Sequence, residues 1–487
     1  MVVGLANAVP ATYGGGPMPA ESTEHVAPGG WPAGRRAVRA LVRPLERFLH
    51  VQAASGVVLL AAAFAALAWV NLLGPESYER FWHLPLHLGA GGVMFTRSLH
   101  FWVNDGLMTL FFFVVGLEIR REVHEGELSD LRRAALPLAA ALGGMLAPAG
   151  IYAALNIGTP AGSGWGVPMA TDIAFAVGVL TLLGSRVRPA LRVLLLAVAI
   201  VDDIGAIVVI AVFYADGFSW VGAVVACGGV GMAWLLRQLG ARNPWVFVPA
   251  GVVAWAGLLV AGIHPTLSGV ALGMLTPARS HIGGVGFLAE ASDALARFRA
   301  RFAASPDDVA ALAEPLAELR KAREDALAPV TRLVLALHPW VAFLIMPVFA
   351  LANAGVAVAS VDLGAAGATR ISAGIVLGLV LGKPVGVVLA SLAVVGLGWA
   401  ALPRGVTWAG VVIVGCVAGV GFTMAIFIAG LAFTSPATLS VAKLAVLVGS
   451  GVSITVGLVV GRLALTPRPT GEDSAPNEGD AEASTDY

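Results

Sequence analysis

Two adjacent aspartates inside an apolar run constrain this chain more than any other feature. The stretch AVAIVDDIGAIVVIAVFY, residues 197–214, carries Asp202 and Asp203 and no basic residue. With a helix start near Arg192, Asp202 lies roughly 15 Å deep, half of a hydrocarbon core about 30 Å thick. An acidic residue at that depth costs on the order of 2.5–3.5 kcal/mol on insertion scales, so a pair of them points to function. The competing reading is a pair neutralised in a purely structural network.

Composition sets the environment. Of 487 residues, 58% are hydrophobic and only 12% charged, against about a quarter charged in soluble domains. The chain is therefore expected to be an all-α polytopic membrane protein. Formal net charge is zero and no basic patch with interleaved aromatics appears, which argues against a nucleic-acid partner. Cys227 and Cys416 sit in apolar Gly-rich runs and read as small core residues, without disulfide or metal-ligand spacing. Among thirty basic residues only Lys321, Lys383 and Lys443 are lysines, and the last two lie in apolar segments. Arginine keeps its proton inside a protein, whereas a desolvated lysine can lose it, so this usage suits proton-linked chemistry.

Twelve apolar segments are expected to span, at about 55–73, 104–118, 134–155, 166–184, 192–214, 219–236, 244–262, 264–277, 328–352, 371–399, 406–433 and 438–462. The weakest is 264–277, short for a full crossing. Residues 1–49 are Gly/Pro-rich and then basic, with no removable signal peptide expected. Basic residues alternate between rich and poor loops. Arg120, Arg121, Arg132 and Arg133 fall on the rich side, as do Arg186, Arg188 and the 278–327 loop, which places both termini in the cytoplasm. Residues 287–327 mix Ala and Leu with Arg and Glu at helical spacing, and the acidic tail 467–487 is expected to be disordered. The membrane-spanning body thus occupies 50–466.

The chemistry-bearing residues fall in four spans. In GWGVPMATDIAFAVGVL, Pro168 predicts an interrupted helix with Thr171 and Asp172 at the break. Unwound backbone at membrane depth survives only when buried in protein or lining a wet cavity. The eleventh span has Gly415, Gly419 and Gly421 before Thr423 and is equally breakable. Lys383, in LVLGKPVG, lies roughly 18 Å deep and cannot easily snorkel. It reads as a counter-ion to an intramembrane aspartate, static or broken as ions arrive. Lys443, near the start of its span, can snorkel outward and reads as structural. Consecutive helical residues point about 100° apart, so Asp202 and Asp203 divide their labour, one toward an ion path and one toward Lys383. Burial favours the protonated form of a carboxylate and a nearby cation the ionised form, so protons and a small hard cation would compete at such a site. Weaker candidates are Asp105, Glu118, Arg121 and Glu122, together with His264 and His338, whose imidazoles suit pH sensing.

At these residues the chain resembles the NhaA family of bacterial sodium/proton antiporters. The matching pieces are FFFVVGLEIRRE (111–122), ATDIAFAVGVL (170–180), VDDIGAIVVIA (201–211), LHPWVAFLIMPVFALANAG (337–355), LGKPVG (381–386) and GVGFTMAIFIAGLAF (419–433), in matching order and spacing across about residues 50–465. The resemblance implies twelve helices, with spans 3–5 and 10–12 as inverted repeats and two discontinuous helices crossing near mid-membrane. It implies electrogenic export of Na⁺ or Li⁺ against protons by alternating access, in a bacterial inner (plasma) membrane, with no cofactor. Na⁺ would sit at Asp203 and Asp172 with Thr171 nearby, and Asp202 would pair with Lys383. It assigns the pH response to Glu118, Arg121, Glu122 and the start of the ninth span. There the family's Glu-His pair is replaced by Val334-Leu335, leaving His338. The 74–103 loop corresponds to a β-hairpin that forms a homodimer, with one strand in VMFTRSLHFW.

Three other readings compete, one of them a non-transporting membrane scaffold, which explains neither the buried charges nor the breakable helices. A sodium-coupled symporter for an organic anion needs a polar or basic substrate cavity, which these spans do not supply. An intramembrane aspartic protease needs carboxylates from separate helices sharing a proton, which a nearby lysine would spoil.

Overall fold

The computed structural model describes residues 54–465, apart from 91–92, 216, 242, 281, 306–307 and 366. The expected basic segment 1–49 and acidic tail 467–487 lie outside the described residues. Among the described residues nine helices are long and apolar enough to cross a membrane. They are α1 (Ala54–Leu72), α3 (Leu99–Glu125), α4 (Leu131–Asn156), α6 (Pro189–Phe213), α7 (Trp220–Gln238), α8 (Pro244–Ala261), α12 (Pro329–Ser360), α13 (Ala368–Gly396) and α16 (Pro436–Ala464). Two bent pairs bring the number to eleven. The 3₁₀ run Pro160–Met169 meets α5 (Ile173–Leu182) at 46°, and α14 (Trp408–Ala418) meets α15 (Phe422–Ala432) at 47°. The remaining expected span, 264–277, is helical only as α9 (Leu267–Leu275). Nine residues reach about 14 Å, half of the distance across a hydrocarbon core.

Between α1 and α3 lie a short helix α2 (Pro75–Trp82) and a two-stranded antiparallel sheet, β1 (Pro85–Ala90) with β2 (Val93–Ser98). Pro85 faces Ser98 and Ala90 faces Val93 across it. Ser98 then caps α3 by accepting a hydrogen bond from the Phe101 amide at 3.2 Å. The 278–327 loop folds into a helical hairpin, α10 (Gly283–Ala304) and α11 (Val309–Ala326), clipped by Arg297–Glu318 at 2.7 Å and Arg301–Glu314 at 2.6 Å.

Each interruption has a local cause. Proline at 168 lacks an amide donor, and Asp172 takes an extended conformation and caps α5, its carboxylate accepting from the Phe175 amide at 3.2 Å. The break between α14 and α15 falls on Gly419, Val420 and Gly421. The two breaks are joined through backbone, the Asp172 amide donating to the Val420 carbonyl at 2.7 Å.

Small residues let α4 and α13 approach closely. A Cβ added to Gly386 would lie 2.0 Å from the Gly143 carbonyl oxygen, and one on Gly143 would lie 2.2 Å from that of Gly386. Such small-residue contacts replace the hydrophobic drive that lipid does not supply. Gly386→Val is therefore expected to cost about 3 kcal/mol through overpacking and to lower the unfolding midpoint in detergent. Gly396→Ala, where an added Cβ meets nothing within 4 Å, leaves that midpoint unchanged.

Candidate ion-binding site

The buried charges gather where the two interrupted helices face α6 and α13. Asp202 and Asp203 are each 2% exposed, and Thr171, Asp172, Lys383 and Thr423 each 1%. The Lys383 ammonium donates to Asp202 Oδ2 at 2.5 Å and to the Thr171 hydroxyl at 2.8 Å. That hydroxyl in turn donates to the Ala418 carbonyl at 2.9 Å, at the end of α14. Lysine and threonine thus serve the C-terminal end of a broken helix, where orphan carbonyls and the helix dipole favour positive charge.

Asp172 serves the opposite ends. Its Oδ1 accepts from the Phe175 amide of α5, and its Oδ2 accepts the Thr423 amide of α15 at 3.1 Å together with the Thr423 hydroxyl. One carboxylate therefore caps two helix N-termini, where negative charge is favoured. The sequence pointed to Thr423 only as a marker of the break. Its direct bonds to Asp172 make it part of the site, and the signal was a threonine two residues after Gly421.

Asp203 stands apart. Among the described residues its carboxylate makes no hydrogen bond or ion pair, although Asp202, Glu118, Asp172 and Lys383 all lie within electrostatic reach. Asp202 Oδ1 is likewise buried with no protein hydrogen bond. The adjacent aspartates have separate roles because they point to different sides of α6, which puts one carboxylate on the ammonium and leaves the other open.

The candidate pH-responsive residues are brought together only in part. Glu118 of α3 lies 3.7 Å from His338 of α12, both largely buried. Asp105, also on α3, lies 3.5 Å from His264 just before α9. Glu122 instead accepts the Glu127 amide at 2.7 Å and closes the turn after α3, with Arg121 half-buried beside it. Val334 is packed with Leu117, Ala278 and Val330, so the first position of the missing Glu-His pair is here an apolar contact between α3 and α12. Leu335 is 58% exposed. Sequence reasoning missed a reciprocal amide pair, Asn104 with Asn353, at 2.7 and 3.3 Å between the same two helices.

A cation between Asp203 and Asp172 would be cargo, held by few ligands. Among the described residues no three His, Cys, Asp or Glu side chains converge on a resident metal site. Chemically, the arrangement offers one compensated carboxylate, one capped carboxylate and one open carboxylate to small cations and protons.

Comparison with known proteins agrees in character. The family profile described as Na⁺/H⁺ antiporter 1 matches residues 46–460. The chain is 60% identical to the Na(+)/H(+) antiporter NhaA 2 of Sorangium cellulosum, over 94% of this chain and 98% of that one. It is 52% identical to the Na(+)/H(+) antiporter NhaA 2 of Myxococcus xanthus, over 90% and 93% of the two chains. To the Na(+)/H(+) antiporter NhaA of a Janthinobacterium species it is 51% identical, over 86% and 92%. With its apolar helices and its match over most of its length, the chain belongs to the Na⁺/H⁺ antiporter 1 family of membrane-spanning secondary transporters, which are not enzymes.

Proposed function

We propose that this protein exports Na⁺, or Li⁺, in exchange for protons across a bacterial inner membrane, with the two ions competing for Asp203 and Asp172. The observation that carries the reading is the imbalance of buried charge. Among the described residues three carboxylates, Asp172, Asp202 and Asp203, are buried with one ammonium, Lys383, and the Asp203 carboxylate makes no hydrogen bond or ion pair. An uncompensated charge sealed from water costs several kcal/mol, so Asp203 is stable there with a proton or a small cation on it. A site that must hold one or the other exchanges them.

The remaining assignments follow from that site. Thr171 and Thr423 supply hydroxyls beside the carboxylates, and Pro168, Gly419 and Gly421 keep the helices interrupted. Alternating access carries the site from one face to the other, with spans 3–5 and 10–12 acting as inverted repeats and the broken helices crossing at mid-membrane. Counting α9 as the eighth element restores twelve helices with both termini cytoplasmic. More protons enter than sodium ions leave, because more than one buried acidic group is discharged per cation, which makes the exchange electrogenic. Glu118 and His338, with Arg121, Glu122 and His264, form the pH-responsive set. The β1–β2 sheet joins two copies as a homodimer. A sodium-coupled organic-anion symporter gains no support, since among the described residues the one buried lysine beside the aspartates is already engaged.

Three outcomes test this reading. Asp203→Asn is expected to insert normally in everted vesicles and to lose Na⁺-dependent ΔpH. Full exchange by that variant refutes the site. Lys383→Ala leaves Asp202 buried without its partner and is expected to cost on the order of 3 kcal/mol of stability, measured by unfolding in detergent, with altered pH dependence or stoichiometry. Glu118→Gln removes the carboxylate facing His338 and should move the pH of half-activation while keeping the maximal rate, read from Na⁺-induced proton movement across a pH series in proteoliposomes.

A further inference from the structure

Lys383 is aimed by an irregular turn that the exchange chemistry itself does not explain. Helix α13 widens over Gly378–Gly382 into a π-helical turn, and the Lys383 amide bonds the Gly378 carbonyl, five residues back. Such turns recur at functional sites. Of two others among the described residues, Val341–Ile345 in α12 is followed at the same spacing by a proline, Met346-Pro347, as the first is by Lys383-Pro384, whereas Trp102–Leu107 in α3 is followed by Met108-Thr109. The two proline-followed turns share a chemical cause. Proline has no amide hydrogen, so the carbonyl four residues back loses its helical donor and the ladder can step wide.

The packing of α13 on α4 needs that step. Gly374, Gly378, Gly382 and Gly386 recur every four residues, and added Cβ atoms at 374, 382 and 386 would meet Tyr152, Pro148 and Gly143 of α4, while one at 378 would meet Pro168 of the 3₁₀ run at 2.7 Å and Pro148 at 3.3 Å. In an unbroken α-helix four residues turn about 400°, so three such steps drift about 120° off the seam. One extra residue in the π turn takes back about 100°, and the glycines stay in line. The same extra residue sets the direction of Lys383. Were the turn α-helical, its side chain would swing about 100° relative to the preceding half of the helix, away from Asp202 and Thr171.

The widened turn leaves one carbonyl in need. The fourth residue after Leu379 is Lys383, whose amide serves Gly378, and the fifth is Pro384, which has none. Leu379 is fully buried. A Cβ added to Gly419, at the break between α14 and α15, would lie 2.3 Å from the Leu379 carbonyl oxygen and 2.8 Å from the Ser453 hydroxyl of α16. Ser453 is 2% exposed and its hydroxyl makes no protein hydrogen bond. It is a donor within reach of that carbonyl, directly after rotation or through one water, and an unmet buried carbonyl is costly. The absence of a side chain at Gly419 keeps that reach open.

We propose that Pro384 and Ser453 are positioning residues for Lys383, holding the π turn Gly378–Gly382 in the register that aims its ammonium at Asp202 and Thr171. Pro384 removes the donor that would restore an α-helical ladder, and Ser453 serves the carbonyl this frees. Neither hydrogen-bonds Asp203 or Asp172 among the described residues, so both act on turnover through Lys383 more than on cation affinity. The activity arm of the test rests on the exchange reading; the stability arm does not.

The test uses the full chain with Pro384→Ala, Ser453→Ala and the hydroxyl-keeping Ser453→Thr, each alone and with Lys383→Ala. In proteoliposomes Pro384→Ala and Ser453→Ala are expected to lower the maximal Na⁺/H⁺ exchange rate about fivefold while the Na⁺ KM stays within about twofold, and Ser453→Thr is expected to restore the rate. In detergent, both alanine variants lower the unfolding midpoint when Lys383 is present, and add little once it is Ala, because coupled residues are non-additive. Equal losses of stability with and without Lys383, or wild-type rates in both alanine variants, overturn the assignment. If Pro384→Ala fails to fold, the Ser453 pair decides alone. If the wild-type protein moves no protons on adding Na⁺ yet the stability coupling holds, the exchange reading fails and the positioning role stands.

Discussion

A polypeptide may be interrupted inside a bilayer only where protein supplies what water cannot, and the two interrupted helices of this chain supply it to each other. The Asp172 amide donates to the Val420 carbonyl, the Thr423 amide donates to the Asp172 carboxylate, and the Thr171 hydroxyl donates to the Ala418 carbonyl. The ends of α14 and α15 are met by residues from the opposite break, and Asp172 also caps α5 within its own. Helix-end polarity then sorts the charges, with the acid at two N-termini and the lysine, through Thr171, beside a C-terminus. Because those demands are met locally, Asp203 is spared from structural duty.

The consequence is a site short of positive charge. A fully balanced set of acids and bases would be inert, and a set with several open acids would not fold. Here one ammonium offsets one carboxylate, helix ends moderate a second, and on the exchange reading proposed above the third takes the mobile ion. The surrounding scaffold is close-packed, with α4 and α13 in backbone contact at Gly143 and Gly386.

Much of this was legible along the chain. Apolar runs located the nine helices and two bent pairs long and apolar enough to cross a membrane, Pro168 and the Gly415–Gly421 glycines marked both interruptions, and depth singled out Asp202, Asp203 and Lys383. What escaped were features whose signal is weak or long-range. Segment 264–277 is apolar enough for a span, yet His264 and Pro265 sit in a turn before a nine-residue helix. The π turn before Lys383 left two marks, a four-residue glycine spacing and the following proline, and neither registers in a hydropathy reading. The Glu118–His338 and Asn104–Asn353 pairs join helices more than 200 residues apart, where spacing is silent.

Sequence alone determined that the chain is a many-span membrane protein with buried acids and one deep lysine, because hydropathy and the cost of burying charge are local properties. It also determined the family, through six motifs in order. It did not, from the residues themselves, decide which of the adjacent aspartates meets the lysine, since successive helical positions differ only by rotation. Tertiary structure made that decision by bringing Lys383 to Asp202 across 181 residues. The choice belongs to packing, because a rotation of about 100° has meaning only relative to what lies opposite.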